Sequence, residues 1–322
     1  MLSEFELIER FFRRPTRHTV LGVGDDAALL APSAGCELAV SVDMLVSGRH
    51  FAAEVDPEAL GHKTLAVNLS DLAAMGAWPR WALLAGALPE PDAAWINAFA
   101  SGFFALADAY DVDLVGGDTT RGPLNLCVTI LGEAPAGQAL RRSGARPGDA
   151  IYVSGTLGDA ALALAHHRHE TVLAADELSR CERALLRPTP RVELGQRLRG
   201  IASAAIDISD GLTGDLGHIL DASGAGAVVE LAALPRSEAL ERRLAGLERP
   251  LALACLLAGG DDYELCFTAR AEAAADIGAV AEQLDLEIVR IGWIDERSGL
   301  SVRDEAGRAL ERLPVAFDHF RV

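Results

Sequence analysis

Apolar and polar positions along the chain switch between two periods. Ser3 with Glu6 three residues on forms a capping box, and Leu2, Phe5, Ile8 and Phe12 follow at helical spacing, which predicts a short first helix. Over Glu37 to Leu45, Val40 and Val42 alternate with Ser41 and Asp43, a strand pattern. Asp56-Pro57 reads as an N-cap with proline at the first helical position, opening a helix to about Met75. Trp81 to Leu88 reads as a buried strand. Asp92 then caps a helix with its apolar stripe at Trp95, Phe99, Phe103 and Leu106, and Leu114-Val115 and Leu124 to Leu131 are further strands.

Proline and glycine concentrate between Ala134 and Gly148, which predicts a boundary and divides the chain into residues 1–137 and 138–322. Beyond it Ile151-Tyr152-Val153 is a strand and Asp159 starts a helix. Pro188 and Pro190 introduce another helix, Ala204 to Ile208 is a strand, and Leu212 to Ala222 is a helix closed by Gly224. Strands over Tyr263–Thr268 and Glu287–Ile294 flank a helix over Ala271–Leu284, and Arg297-Ser298-Gly299 reads as a hairpin turn. The fold class is α/β (α+β) in two parts.

One stretch departs from simple patterning. Leu21–Leu30 places Asp25 and Asp26 between apolar runs, where burial of the flanks would cost the carboxylates their water. Similar apolar surroundings recur around Asp43, Asp71, Asp118, the Asp207/Asp210 pair and the Asp261/Asp262 pair. Many aspartates near element ends are helix caps, and Asp56, Asp92, Asp159 and Asp176 fit that reading. Asp210 and Asp215 begin a helix and stand between the two readings. Asp71 lies mid-helix, sharing a face with Asn68, where capping does not account for it. Two carboxylates about 4 Å apart repel by roughly 4 kcal/mol at an effective dielectric near 20, so acids gathered in one place need cations. Aspartates without histidine or cysteine select hard ions such as Mg²⁺, which shares its shell with substrate phosphates.

Composition narrows the alternatives. The 322 residues are half hydrophobic, with a net charge of −18, which disfavours a nucleic-acid partner. Five scattered cysteines form no Cys-x-x-Cys pair, so neither a disulfide framework nor a zinc site is expected. Glu4, Glu6 and Glu9 among the first apolar residues are unlike a secretory signal, and Ala93 to Ala107 is too short to span a bilayer. The expectation is a cytoplasmic protein with no membrane partner. Neither a Gly-x-x-x-x-Gly-Lys-Ser/Thr loop nor a Gly-x-Gly-x-x-Gly turn is present, and Ser154–Gly158 reads more readily as a strand-to-helix turn than as a phosphate loop. His166, His167 and His169 sit on a charged, solvated stretch. His50 follows Ser47-Gly48-Arg49 just after Asp43.

The stretches 22–28 (Gly-Val-Gly-Asp-Asp-Ala-Ala), 41–51, 68–77 (Asn-Leu-Ser-Asp-Leu-Ala-Ala-Met-Gly-Ala), 116–122 (Gly-Gly-Asp-Thr-Thr-Arg-Gly), 142–149, 154–159, 205–212 and 259–267 together resemble the thiamine-monophosphate kinase family. That family is part of the aminoimidazole-ribonucleotide-synthetase-like (PurM-like) superfamily. The resemblance implies a two-domain PurM-like fold, with N-terminal domains pairing into a homodimer through a barrel-like sheet and a C-terminal α/β domain. It implies direct, Mg²⁺-dependent transfer of the ATP γ-phosphoryl group to thiamine monophosphate. By similarity Asp26, Ser41, Val42, Asp43, Asp71, Asp118, Asp207 and Asp210 would bind several Mg²⁺ ions. Asp71, Asp118 and Asp210 would be central to catalysis. Gly117, Asp118, Arg142, Ser209 and Tyr110 would hold ATP, and His50, Asp262 and Phe317 the thiamine substrate. Val42 stands where threonine is common, which a backbone carbonyl ligand tolerates. The rival readings are another ATP-dependent ligase or cyclase of the superfamily and a non-catalytic acidic cation-binding protein.

Overall fold

The computed structural model describes residues 3–316, so Phe317 lies outside the described residues. The chain divides into two units, residues 1–72 with 77–137, and residues 73–76 with 138–322.

The first unit begins with a capped helical turn α1 (Glu4–Leu7), in which Ser3 and Glu6 close the capping box, continuing as a π-helical turn over Ile8–Phe12. Strands β1 (Thr19–Leu21) and β2 (Leu29–Leu30) pair antiparallel on either side of the Asp25-Asp26 loop. There follow β3 (Cys36–Val46), α2 (Pro57–Ala74), β4 (Trp78–Leu88), α3 (Ala93–Ala109), β5 (Asp113–Arg121) and β6 (Asn125–Pro135). The sheet order is β3-β6-β4-β5, with β4 and β5 parallel and β6 antiparallel to both β3 and β4. β6 thus fills the gap of a split β-α-β unit, which α2 closes. The caps work as the side chains require. Asp56 Oδ2 accepts from the Ala59 N–H at 2.9 Å, and Asp92 Oδ1 from the Ala94 and Trp95 N–H groups at 2.9 and 3.3 Å. α2 has no exposed face over its second half, since residues 65–74 are buried except for half-buried Asp71. Among the described residues this sheet is open rather than closed into a barrel, with β3 and β5 at its edges.

The second unit contains β7 (Ala150–Ser154), α4 (Asp159–His167), α5 (Ala175–Leu186), α6 (Val192–Leu198), β8 (Ala202–Asp207), α7 (Leu212–Ser223), β9 (Gly226–Glu230), α8 (Glu238–Leu244), α9 (Arg249–Ala258), β10 (Leu265–Ala269), α10 (Ala274–Leu284), β11 (Ile288–Asp295) and β12 (Gly299–Arg303). Its six-stranded sheet runs β12-β9-β11-β7-β10-β8, antiparallel except for β12 beside β9. Ile151, Val153, Ile206, Leu216 and Leu256 are among the side chains of its single aliphatic core. The expected hairpin at Arg297–Gly299 does not form. β11 and β12 instead lie on opposite sides of β9, both meeting Gly226, and the connection passes over that glycine so closely that a Cβ there would stand 1.7 Å from the Arg297 carbonyl oxygen.

Two further expectations give way. Asp159 does not cap α4, whose N-cap is Gly158; its carboxylate is buried and accepts from Ser237 Oγ at 2.5 Å, and burial raises its pKa. Asp176 does not cap α5, since Ala174 is the N-cap and Glu177 reaches back to its N–H at 2.9 Å. Among the described residues no helix is long and apolar enough to cross a membrane.

Candidate active site

Strand alternation sets the first group of acids. Along β3, Ser41, Asp43 and Leu45 point to the helix side, while Leu38, Val40, Val42 and Met44 point outward and are 45–59% exposed. The helix side meets the second half of α2. Ser41 Oγ donates to Asp71 Oδ2 at 2.5 Å, and the Asp43 N–H donates to Asn68 Oδ1 at 3.2 Å. Asn68 is itself held by its amide donating to the Thr64 carbonyl at 3.0 Å. Asp71 is therefore half-buried against a hydroxyl, as its position inside an apolar helix requires. The turn after the same strand carries His50, whose Nδ1 accepts from the Val46 N–H at 3.0 Å. That bond leaves the proton of a neutral imidazole on Nε2.

A second group faces a cavity of about 730 Å³ within the first unit. Asp25, Asp26, Gly117 and Asp118 line it together with Phe5, Phe12, Trp95 and Phe99. The Asp25 carboxylate accepts the Asp26 N–H at 2.9 Å, which holds the tight turn after Gly24. Gly117 sits at φ +151° with its Cα against the Leu84 carbonyl, 1.8 Å from where a Cβ would be, so no other residue fits this bend in β5. The burial expected for the Leu21–Leu30 element is absent. Asp25, Asp26 and Leu29 are exposed, and the acids keep their water.

These two groups lie at opposite edges of one sheet. Asp43 on β3 and Gly117-Asp118 on β5 are three interstrand steps apart, about 14 Å along the sheet. Among the described residues no three histidine, cysteine, aspartate or glutamate side chains gather as a metal cage. Tyr110 caps the C-terminal end of α3, away from Trp95 and Ile96 of its N-terminal end, which line the cavity with Gly117 and Asp118.

In the second unit β8 ends on buried Asp207, opposite Leu265 of β10. The loop that follows carries Ser209 and Asp210, and the Asp261 and Tyr263 N–H groups donate to the Ser209 and Ile208 carbonyls at 2.9 and 2.8 Å. Asp207, Ser209, Asp210, Asp261 and Asp262 are thereby set around two adjoining loops. Asp261 and Tyr263 both adopt left-handed backbone, at φ 68° and 50°, and the Tyr263 hydroxyl donates to Asp261 Oδ1 at 2.9 Å. Left-handed backbone at two non-glycine residues so close together is strained and marks a segment that its surroundings hold in place. Asp262 Oδ1 accepts the Gly158 N–H at 2.8 Å at the start of α4. Its burial, beside Glu264, Asp159 and Asp261, raises its carboxyl well above the usual range despite that N–H. Arg142 is exposed; its carbonyl accepts from Ser223 Oγ.

The Ser154–Gly158 turn has no room for a phosphate. Glu264 lies against Gly155, 2.1 Å from where a Cβ would be, and Asp262 already occupies the amide at Gly158. Glu264 in turn takes Arg191 and Ser154, with Arg191 Nε and Ser154 Oγ at 2.6 and 2.5 Å from Oε2. Sequence reading missed this buried triad and also the part played by Asp215. Asp215 Oδ2 accepts the N–H groups of Ser209, Asp210 and Gly211 at 3.0, 3.0 and 3.1 Å. Burial raises its carboxyl to about 7, the N–H groups opposing the rise and the Asp210 charge adding to it. The available signal was an acid in the first turn of a helix opened by Asp-Gly.

Comparison with known proteins follows the same division of the chain. Residues 24–134 match the AIR synthase related protein N-terminal domain, and residues 146–305 the C-terminal domain. The thiamine-monophosphate kinase of Salmonella typhimurium is 48% identical over 323 residues, covering 98% of this chain and 96% of its own. That of Escherichia coli K12 is 51% identical over 270 residues, 83% of this chain and 82% of its own. The crystal structure of thiamine-monophosphate kinase from Stenotrophomonas maltophilia K279a superposes with a TM-score of 0.84 at 50% identity, over 95% of this chain and 96% of that one. AaThiL complexed with AMPPCP and TMP superposes with a TM-score of 0.78 at 31% identity over 92% of each chain. Mixed α/β sheets in two units, acids on loop and strand ends, and matches along nearly the whole length agree, and the chain belongs to the thiamine-monophosphate kinase family of the AIR-synthase-related proteins.

Proposed function

We propose that the chain transfers the γ-phosphoryl group of ATP directly to thiamine monophosphate, giving thiamine diphosphate and ADP, in a Mg²⁺-dependent reaction (EC 2.7.4.16). The observation that carries this reading is 48% identity to a thiamine-monophosphate kinase over 98% of the chain, with the Ser41–Asp71 and Asp43–Asn68 contacts formed at the matching motifs.

The donor chemistry fits a hard cation. Asp26 and Asp118 at the cavity, Asp43 and Asp71 beside α2, and Asp207 and Asp210 in the second unit offer only oxygen, with Ser41 supplying a hydroxyl and Val42 its backbone carbonyl. Magnesium held by these oxygens would neutralise phosphate charge. The acceptor is a phosphate monoester, already largely ionised at neutral pH, so its oxygen needs no general base. What this chain's residues must do is position two anions, carrying roughly six negative charges between them, in line. Gly117, Asp118, Arg142, Ser209 and Tyr110 are assigned to ATP, Asp71, Asp118 and Asp210 to the catalytic centre, and His50, Asp262 and Phe317 to the thiamine substrate. Residues 1–137 form the domain that carries dimerisation and the first acids, and residues 138–322 the second domain. The protein works as a homodimer. Seven of the twelve exposed large apolar side chains among the described residues fall within 20–44, in β1, β2 and β3, which supports a covered face there.

The test is incubation with MgATP and thiamine monophosphate, with and without chelator, followed by product analysis. Thiamine diphosphate and ADP in equal amounts, lost with chelator and restored by Mg²⁺, are expected. ATP turnover without thiamine diphosphate would overturn the assignment in favour of another ATP-dependent activity of the superfamily.

A further inference from the structure

The segment over residues 208–211 joins β8 to α7 and carries two residues assigned above to ATP and metal, Ser209 and Asp210. Loops bearing such ligands are flexible unless something fixes the backbone. Here one oxygen does so. Asp215 Oδ2 accepts three consecutive N–H groups, from Ser209, Asp210 and Gly211, at 3.0, 3.0 and 3.1 Å, and the residue is 3% exposed. Three successive amides converging on one point form an anion-binding nest. In this protein the nest is filled from within, by a carboxylate one helical turn further along α7. The carbonyls of the same loop are held as well, Ser209 and Ile208 accepting from the Asp261 and Tyr263 N–H groups.

We infer that Asp215 is a positioning residue for the reaction: it binds neither substrate nor metal, but its carboxylate fixes the Ser209–Gly211 backbone so that Asp210 and Ser209 present their oxygens to the metal–nucleotide complex. The inference rests on the roles given to Ser209 and Asp210 in the proposed function. A purely structural acid would stabilise the fold without changing cation affinity. An acid that aims ligands changes that affinity, and loss of such an outer partner costs about 10- to 100-fold in metal binding.

The experiment compares the full-length wild type with Asp215→Asn and Asp215→Ala, using Asp221→Asn, an exposed acid on the same helix, as control. Mn²⁺ binding in the presence of a non-hydrolysable ATP analogue is measured by calorimetry, alongside melting temperature and the Mg²⁺ concentration for half-maximal ADP formation. The expected result is a folded Asp215→Asn with about 10-fold weaker Mn²⁺ binding and a matching rise in Mg²⁺ requirement. Asp215→Ala should be affected more strongly and the control not at all. Wild-type Mn²⁺ affinity, within twofold, in a folded Asp215→Asn would overturn the inference. Should neither variant fold, amide exchange in the wild type decides. Slow exchange at Ser209, Asp210 and Gly211 supports the grip, and exchange as fast as in an exposed loop overturns it. If the wild type makes no thiamine diphosphate, the functional assignment fails on that assay, while the Mn²⁺ titration still reports whether Asp215 governs a cation site.

Discussion

Asp71 shows how much one side chain depends on its setting. It stands in the last turn of the apolar helix α2, three residues before the helix ends at Ala74, with the Ser41 hydroxyl 2.5 Å from Oδ2. Replacing it with asparagine keeps an acceptor for Ser41 and nearly the same volume, so the change in folding stability should stay within about 1 kcal/mol. The negative charge disappears, and a site that neutralises phosphate through a cation loses an anchor. Asp71→Asn should therefore melt close to wild type and lose about 100-fold or more in kcat. Circular dichroism melting with steady-state assays at saturating Mg²⁺ checks this, and near-wild-type turnover would remove Asp71 from the catalytic centre. Its role could be suspected from sequence because nothing local explained an acid there. Asp215 gave no such signal. A first-turn aspartate is ordinary on electrostatic grounds, and only the folded loop shows that its oxygen is spent on three amides.

Elements were legible where local chemistry decides them. Ser3 and Glu6, Asp56 with Pro57, Asp92, and Gly224 end or begin helices by bonds to their own neighbours, and the structure keeps each. Where a distant group wins, local reading failed. Asp159 is drawn inward by Ser237, and the Arg297–Gly299 turn is carried across β9 because Gly226 leaves room for it. α5 shows the same contest in its titration. Burial alone would raise the Glu177 carboxyl, but the Ala174 N–H and the Arg242 and Arg243 guanidinium groups outweigh it and hold the pKa at about 2. A carboxyl depressed from 4.5 to about 2 adds stability that is complete above pH 4.5 and is lost as pH falls toward 2. The size is roughly 3 kcal/mol from the shift, and less where water screens Arg242. Glu177→Gln should thus lower the melting temperature at pH 7 by several degrees, with the gap to wild type narrowing steadily between pH 4.5 and pH 2. A gap independent of pH would mean that packing, not charge, is what Glu177 contributes.

At the scale of the whole molecule, the edge strand β3 is the feature that a single copy leaves unfinished. It is eleven residues long, and it presents Leu38, Val40, Val42 and Met44 outward on the face opposite α2. Long, apolar edge strands invite pairing unless charge, proline or another chain covers them, and none of these four positions is charged or proline. The exposed Val20, Leu21 and Leu29 of β1 and β2 add to the same part of the sequence. A stable interface needs about 1,000 Å² or more of buried surface, which isolated apolar side chains do not supply but a strand face of this length can begin to. With a net charge of −18, two copies also repel, so the apolar term must carry the association. Raising ionic strength should accordingly tighten the dimer rather than loosen it. Val40→Glu places a charge at the centre of the strip without touching Ser41 or Asp43, whose side chains point to the other face. Sedimentation should give a dimer for the wild type at micromolar concentration and a folded monomer for Val40→Glu. A wild type that sediments as a monomer in high salt would dispose of the homodimer, and a Val40→Glu variant that stays dimeric would move the interface to another surface.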